Sequence, residues 1–401
     1  MPPVEGKKGT IGILTGGGDC PGLNPAIRAV TIRALREGYQ VLGLRNGWKG
    51  LVSMVRTQKP AADEWCQVLT AEVVNMFGRM GGTFLHTSRT LPTKIPLKSV
   101  PEHLRRKYQD PVNDLTPEVL QNLEFLGIDY LVPIGGDDTL SYAAHLMKQG
   151  VKVIAIPKTM DNDVPGTDYC IGFSTCVTRT IEMTHSLRTT ASSHERILVV
   201  EVFGRYAGFT ALLPTMAGVA DRCVIPEHPF NIERLTELLV ADRAANPDKY
   251  SVVLVSEGAI IEGRDMVFAK EEKDMYGHKK LGGIGDIIAG QIKELSAQFN
   301  KGEKIDTTVQ NLSYMVRSGD PDTLDSIVPM AYGNMVLDLL GSRIYGRLVA
   351  VRNGRYDNVP LETVISKKKI VDVEKHYNRE QLRPIYGNFE SKPLLIMTSD
   401  Y

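Results

Sequence analysis

Ile128-Asp129-Tyr130-Leu131-Val132-Pro133-Ile134-Gly135-Gly136-Asp137-Asp138-Thr139 passes from a short apolar run through two glycines into paired aspartates. A short continuous run of this kind predicts a strand covered on both faces. Helical spacing follows over residues 139–149, then a second apolar run over 151–156. That run ends in Pro157-Lys158-Thr159-Met160-Asp161-Asn162-Asp163. Strand, glycine turn, helix and strand in this order form the unit of a parallel sheet.

The unit recurs on both sides. Thr10-Ile11-Gly12-Ile13-Leu14-Thr15 reads as a buried strand ending in glycines, with a helix over 24–37 and a strand over 39–44. Further strands are expected over 196–202, 223–226 and 250–255, with helical patterns between them. The pattern predicts two doubly wound, Rossmann-like α/β domains with the active site in the cleft between them. Ligands collect at the carboxyl ends of such strands, where every glycine-rich or acidic cluster of this chain falls.

Bulk properties set the outer bounds. A chain of 401 residues is long enough for two sizeable cores. Its 47 basic and 47 acidic residues leave no net charge to favour nucleic acid or a membrane surface. Cys20, Cys66, Cys170, Cys176 and Cys223 are odd in number and lack a CxxC spacing, which disfavours a disulfide framework or a zinc site. Met1-Pro2-Pro3-Val4-Glu5-Gly6-Lys7-Lys8 lacks the apolar core of a signal peptide, and no run is apolar enough to span a membrane. A cytoplasmic location is expected. Lys367-Lys368-Lys369 reads as a solvated face.

Two loops carry chemistry. Gly16-Gly17-Gly18-Asp19-Cys20-Pro21-Gly22-Leu23-Asn24 joins a strand to a helix, so its amides and the helix amino end suit an anion. It fits neither GxxxxGK[ST] nor GxGxxG, and a tight turn without a ligand has the same look. The aspartates at 137, 138, 161 and 163 bring four carboxylates to neighbouring strand ends. Crowded carboxylates call for a cation, and Mg²⁺ held by one or two of them plus phosphate oxygens suits the set. A remaining aspartate can take a proton from a hydroxyl attacking phosphorus. Turn and cap aspartates without chemistry remain the competing reading at this point.

Longer motifs separate these readings. From about residue 9 to 355 the chain resembles the phosphofructokinase family. The resemblance rests on Leu14-Thr15-Gly16-Gly17-Gly18-Asp19-Cys20-Pro21-Gly22-Leu23-Asn24, Gly81-Gly82-Thr83-Phe84-Leu85, Ile134-Gly135-Gly136-Asp137 and the 157–163 segment. It continues through Gly166-Thr167-Asp168-Tyr169, Ser192-Ser193-His194-Glu195-Arg196 and Glu201-Val202-Phe203-Gly204-Arg205. The resemblance implies that Asp161 is the base acting on the 1-hydroxyl of fructose 6-phosphate. It makes Thr159 and Asp163 contacts to the phosphoryl group and sugar, Asp137 the residue that organises Mg²⁺, and Gly16 part of the phosphate cradle. Phe203, Gly204 and Arg205 match the segment over the sugar, with Arg205 neutralising the transferred group. Glu257 matches a sugar-hydroxyl ligand, and Arg317 with Tyr314 the 6-phosphate grip. Arg196 matches an arginine lent to a neighbouring subunit, which implies a homo-oligomer. A donor domain over 8–171 plus about 317–360 and a sugar-phosphate domain over about 172–316 plus 361–401 follow.

The departures from the ATP-using branch are as informative. Asp138 and Lys158 stand where that branch has glycines, an arrangement that resembles the pyrophosphate-dependent branch. An aspartate there fills space and repels a third phosphate. At about 4 Å two like charges cost ~1 kcal/mol in water and ~4 kcal/mol at an effective dielectric near 20. Lys158 supplies a point charge beside the reacting phosphates. Met80 replaces an arginine that bridges donor and sugar phosphates, unless Arg79 takes its place. Thr308 replaces a second cross-subunit arginine and Tyr314 a histidine, which leaves room for longer sugars such as sedoheptulose 7-phosphate. Of the basic effector-site residues, Arg28 and Arg188 match, Ile32 does not, and only Lys249 remains of a third cluster, so strong effector regulation is not expected. The resemblance thus implies reversible transfer from pyrophosphate to fructose 6-phosphate. An ATP-dependent enzyme and a non-catalytic sugar-phosphate binder are the alternatives.

Overall fold

The computed structural model describes residues 8–56, 64–273, 279–366 and 368–386, with backbone alone at 269–273 and 279–280. Tyr130–Gly135 is a central strand, and its Leu131, Val132 and Ile134 are buried, as a run covered on both faces requires. Across its seven-stranded sheet the order is Arg355–Pro360, Arg347–Arg352, Ile154–Pro157, Tyr130–Gly135, Thr10–Thr15, Gln40–Leu44 and Cys66–Val68. The inner strands pair in parallel and the outermost strand on each side is antiparallel. Ile11 lies opposite Tyr130 and Val41, and Leu14 opposite Pro133 and Leu44.

From Thr10–Thr15 the chain winds outward to Gln40–Leu44; from Tyr130–Gly135 it winds the other way to Ile154–Pro157. This reversal opens a crevice at the carboxyl ends of the two central strands. Both glycine turns lie there. The helix after Gly136 begins at Asp137, two residues earlier than its apolar spacing predicts, and runs to Lys148. Asp137 and Asp138 therefore occupy its first turn, where the helix dipole favours negative charge.

A smaller sheet is parallel throughout, in the order Thr307–Asn311, Ile197–Val202, Ser251–Ser256 and Arg222–Val224. The 21-residue helix Phe173–Ser193 leads to it from the larger sheet. Asp325 caps that helix from outside, accepting from the backbone of Gly172 and Thr175 at 2.7 and 2.8 Å, from Thr175 Oγ1 at 2.6 Å and from Tyr169 Oη at 2.7 Å. Asp325 belongs to Thr323–Gly341, a helix that lies tightly along Leu23–Arg36. A Cβ on Gly333 would come within 2.6 Å of Ala29 Cβ, which is why glycine stands at the crossing.

The chain beyond residue 360 divides between the two sheets. The short turn Leu361–Ile365 lies on the helix Asp137–Lys148 of the larger sheet. Only beyond it does the chain cross: Val371 N donates to Glu227 Oε1 at 2.8 Å, and Cys223 N to Leu382 O at 2.9 Å. Residues 387–401 lie outside the described residues.

Candidate active site

The acidic loop is held from behind. Lys158 N donates to Gly135 O at 2.9 Å, which ties the loop to the central strand. Asn162 takes a left-handed φ of 56°. Its buried amide donates to Asp168 O and accepts from Cys170 N, both at 2.9 Å. With residue 162 turned inward, Asp161 and Asp163 on either side both face a cavity of about 290 Å³. Asp161 Oδ2 accepts a long bond of 3.4 Å from the backbone N–H of Arg205. That contact joins the loop to the end of Ile197–Val202, so the cavity lies between the carboxyl ends of the two sheets.

On the larger-sheet side the walls are Gly17, Gly18, Gly136, Asp137, Asp138, Lys158 and Thr159. The smaller sheet contributes Phe203, Arg205, Tyr206 and Glu257, and Arg89, Arg317 and Lys368 also line the cavity. Gly17 has a φ of 83°, and a Cβ there would stand 3.1 Å from Lys158 Nζ. A Cβ on Gly18 would stand 3.1 Å from Arg317 Nη1. The glycines thus keep the floor open to two cations. Gly16, expected in the cradle, is absent from the wall. Its N–H bonds Ile134 O at 2.9 Å, and a Cβ would meet Thr139 Oγ1 at 2.4 Å, so it allows strand and helix to close behind Gly17 and Gly18.

The electrostatics follow from crowding and burial. Burial, then Asp163 and Asp138, pushes the Asp137 carboxyl up to about 8, with Lys368 pulling the other way. Burial, then Asp163 and Glu257, holds Asp161 well above the usual carboxylate range. Asp163 is raised by burial, against the pull of Lys369 and Lys368. The buried Lys158 ammonium is lowered, first by desolvation and then by Arg317 and Arg89. Asp137 Oδ1 is buried without a hydrogen-bond partner. Such a cluster gains by taking up cations. Among the described residues no group of three or more His, Cys, Asp or Glu side chains is placed to hold a metal ion.

Ten of the anticipated residues line the cavity: Asp137, Asp138, Lys158, Thr159, Asp161, Asp163, Phe203, Arg205, Glu257 and Arg317. Gly204 lies just behind, with φ 123° and a Cβ position 2.9 Å from Ala207 O, allowing the turn that presents its neighbours. Tyr314 is 56% exposed and off the wall, but its ring lies 4.8 Å from the Arg317 guanidinium carbon and supports it. Arg317 also binds Asp19 at 2.5 Å. Arg196 is away from the cavity, at the edge of the smaller sheet, with Nη1 3.5 Å from Thr308 Oγ1.

Sequence reasoning missed Arg89, Tyr206, Lys368 and the Asp19 partner of Arg317. Arg89 follows directly on the matched 81–85 motif, and that proximity was a usable signal. Neither Met80 nor Arg79 lines the cavity. The lysine run is a correction. Lys368 is on the cavity wall, and Lys369 is 3% exposed, donating to Thr167 O at 2.8 Å and Asp168 O at 3.0 Å. The carbonyls of Thr167 and Asp168 and the charge of Asp163 draw the two lysines inward, which no local pattern reveals. Lys367 lies outside the described residues.

Carboxylates facing ammonium and guanidinium groups across a switch-point glycine floor define a phosphate-handling α/β protein. A model of the phosphofructokinase family matches residues 10–340, and the chain belongs to that family. It is 37% identical over 367 residues to the pyrophosphate–fructose 6-phosphate 1-phosphotransferase of Dictyoglomus thermophilum, covering 91% of this chain and 96% of that one. It is 36% identical over 375 residues to ATP-dependent 6-phosphofructokinase 2 of Clostridium perfringens, covering 93% and 95%. Among solved structures, Pichia pastoris phosphofructokinase in the T-state superposes with a TM-score of 0.72 at 26% identity. That match takes in 91% of this chain, which spans only 36% of the longer Pichia chain.

Proposed function

We propose that the protein is a diphosphate–fructose-6-phosphate 1-phosphotransferase. It moves a phosphoryl group reversibly from pyrophosphate to the 1-hydroxyl of fructose 6-phosphate, giving fructose 1,6-bisphosphate and phosphate in glycolysis and gluconeogenesis. The observation that carries this reading is the pair Asp138 and Lys158 on the donor side of the cavity. Asp138 narrows and charges the space a third phosphate and ribose would need, and Lys158 brings an ammonium to the glycine floor. The name of the Dictyoglomus relative agrees with it.

Asp161 takes the proton of the 1-hydroxyl as its oxygen attacks phosphorus. The bridging P–O bond breaks and inorganic phosphate departs with the bond's electron pair. Lys158 and Arg205 spread the charge of the transferred group, and Thr159 and Asp163 position it against the sugar. Phe203, Gly204, Glu257 and Arg317, backed by Tyr314, hold the sugar phosphate. The cavity fits Mg²⁺: the unpartnered Asp137 oxygen would hold it, with phosphate oxygens and water as its other ligands. Bound there, the ion neutralises donor charge. The donor domain comprises 8–171 and about 317–360, with the turn Leu361–Ile365 packed on it. The sugar-phosphate domain comprises about 172–316 with the chain that crosses at Val371.

A homo-oligomer supplies Arg196 to a neighbouring site, which agrees with its position outside its own cavity. Weak effector control agrees with the internal bonds of Arg28 to Asn75 and of Arg188 to the carbonyls of Gly218 and Val219. The five cysteines are reduced and buried, and no described helix is long and apolar enough to cross a membrane. A reducing cytoplasm suits these cysteines.

ATP is the competing donor, since an ATP-dependent relative is 36% identical. One assay separates the readings: fructose 6-phosphate and Mg²⁺ with either pyrophosphate or ATP. Turnover with pyrophosphate is expected. Turnover with ATP alone sinks the donor assignment, and none with either donor favours a sugar-phosphate binder.

A further inference from the structure

Lys368 lies beyond the matched residues 10–340, yet it is on the wall of the cavity. Its position is built. The backbone N–H of Lys369 donates to Asp163 O at 3.3 Å, joining this segment to the acidic loop. The Lys369 side chain is buried and donates to the carbonyls of Thr167 and Asp168, which pins the segment behind that loop. Lys368 Nζ then stands 3.5 Å from the centre of the Tyr206 ring, next to Arg205. An aromatic face holds an ammonium without consuming its charge.

The cavity lining carries five acidic and five basic side chains, Lys368 among them. One of those bases, Arg317, is already committed to Asp19. A polyphosphate entering beside Asp137, Asp138 and Asp163 needs cations on that side. Lys158 meets it from the glycine floor, and Lys368 stands on the wall over Tyr206.

We propose that Lys368, seated on Tyr206, is a catalytic residue whose ammonium binds a phosphoryl oxygen of the donor. Lys369 is a positioning residue, since its side chain points away from the cavity to the carbonyls behind the loop. The assignment rests on the phosphoryl-transfer reading of the cavity, and its test needs no turnover.

The probe is methylene bisphosphonate with Mg²⁺, titrated calorimetrically into the full-length protein. Lys368→Met is expected to weaken its binding at least tenfold, and Lys368→Arg by less than threefold. In the pyrophosphate assay Lys368→Met lowers kcat/KM for the donor by at least tenfold and shifts the fructose 6-phosphate KM by less than threefold. Tyr206→Leu gives a smaller loss in the same direction, and Tyr206→Phe, which keeps the ring, gives none. Unchanged bisphosphonate affinity in a folded Lys368→Met variant overturns the proposal. Wild-type enzyme that binds the bisphosphonate but ignores pyrophosphate overturns only the donor reading. Wild type that binds no bisphosphonate overturns both.

Discussion

The proposed chemistry rests on Asp161 as base and on a few neighbouring side chains. A protonated carboxyl cannot accept the proton of the 1-hydroxyl. Burial and the nearby Asp163 and Glu257 keep the Asp161 proton bound at pH values where an ordinary carboxyl has lost it. As pH falls through that raised value the base is lost, so kcat/KM should fall on the acidic side at a pH above the usual carboxylate range. Asp161→Asn should lower kcat by 10²–10⁴-fold, the span of general-base contributions, while fructose 6-phosphate binding stays within threefold. A pH–rate profile of the wild type and single-turnover kinetics of the variant check both points. Asp138→Gly should admit some ATP turnover. Lys158→Gly should reduce pyrophosphate turnover at least tenfold, or about 1.4 kcal/mol. If neither variant changes donor use, these residues do not select the donor. Their types were legible in the sequence because aspartate and lysine beside glycines have a direct electrostatic meaning. Lys368 was not legible, since 205 positions separate it from Asp163 in the loop it approaches and its neighbours form only a short basic run.

The loop over residues 157–163 works as an element because Asn162 turns its backbone and fills its back. Asn162→Ala should remove two buried hydrogen bonds and put alanine in a left-handed conformation. A loss of about 1–3 kcal/mol is expected in urea unfolding, with kcat reduced as Asp161 and Asp163 lose their shared orientation. An unchanged midpoint and kcat would mean that the loop is held by its ends alone. The buried parallel strands were readable because a strand covered on both faces is apolar at every position. Thr307–Asn311 escaped that reading: it is a polar edge strand, half-buried along most of its length. The antiparallel hairpin of Arg347–Arg352 and Arg355–Pro360 was also missed, because one of its strands is largely wet. The helix start at Asp137 was read two residues late. Its first turn is acidic rather than apolar, so periodicity could not find it.

At the scale of the molecule, the site exists only where two sheets meet, and in the proposed homo-oligomer Arg196 of a second copy would complete it. Asp161→Asn and Arg196→Ala chains, dissociated and reassociated together, should form hybrid oligomers in which some sites have both residues. Fructose 6-phosphate saturation near that of the wild type should return in a fraction of sites. Strictly additive activity of the mixture would place Arg196 outside any shared site. The sequence alone determined the doubly wound architecture, the family and the acidic loop, because strand hydrophobicity, glycine turns and a contiguous catalytic motif are local properties of the chain. Only the tertiary structure decided which glycines form the floor, that Asp19 holds Arg317, and that Lys368 and Lys369 turn inward. Those outcomes depend on buried charges and backbone carbonyls finding partners hundreds of residues away, and such pairings are set by packing rather than by neighbours in sequence.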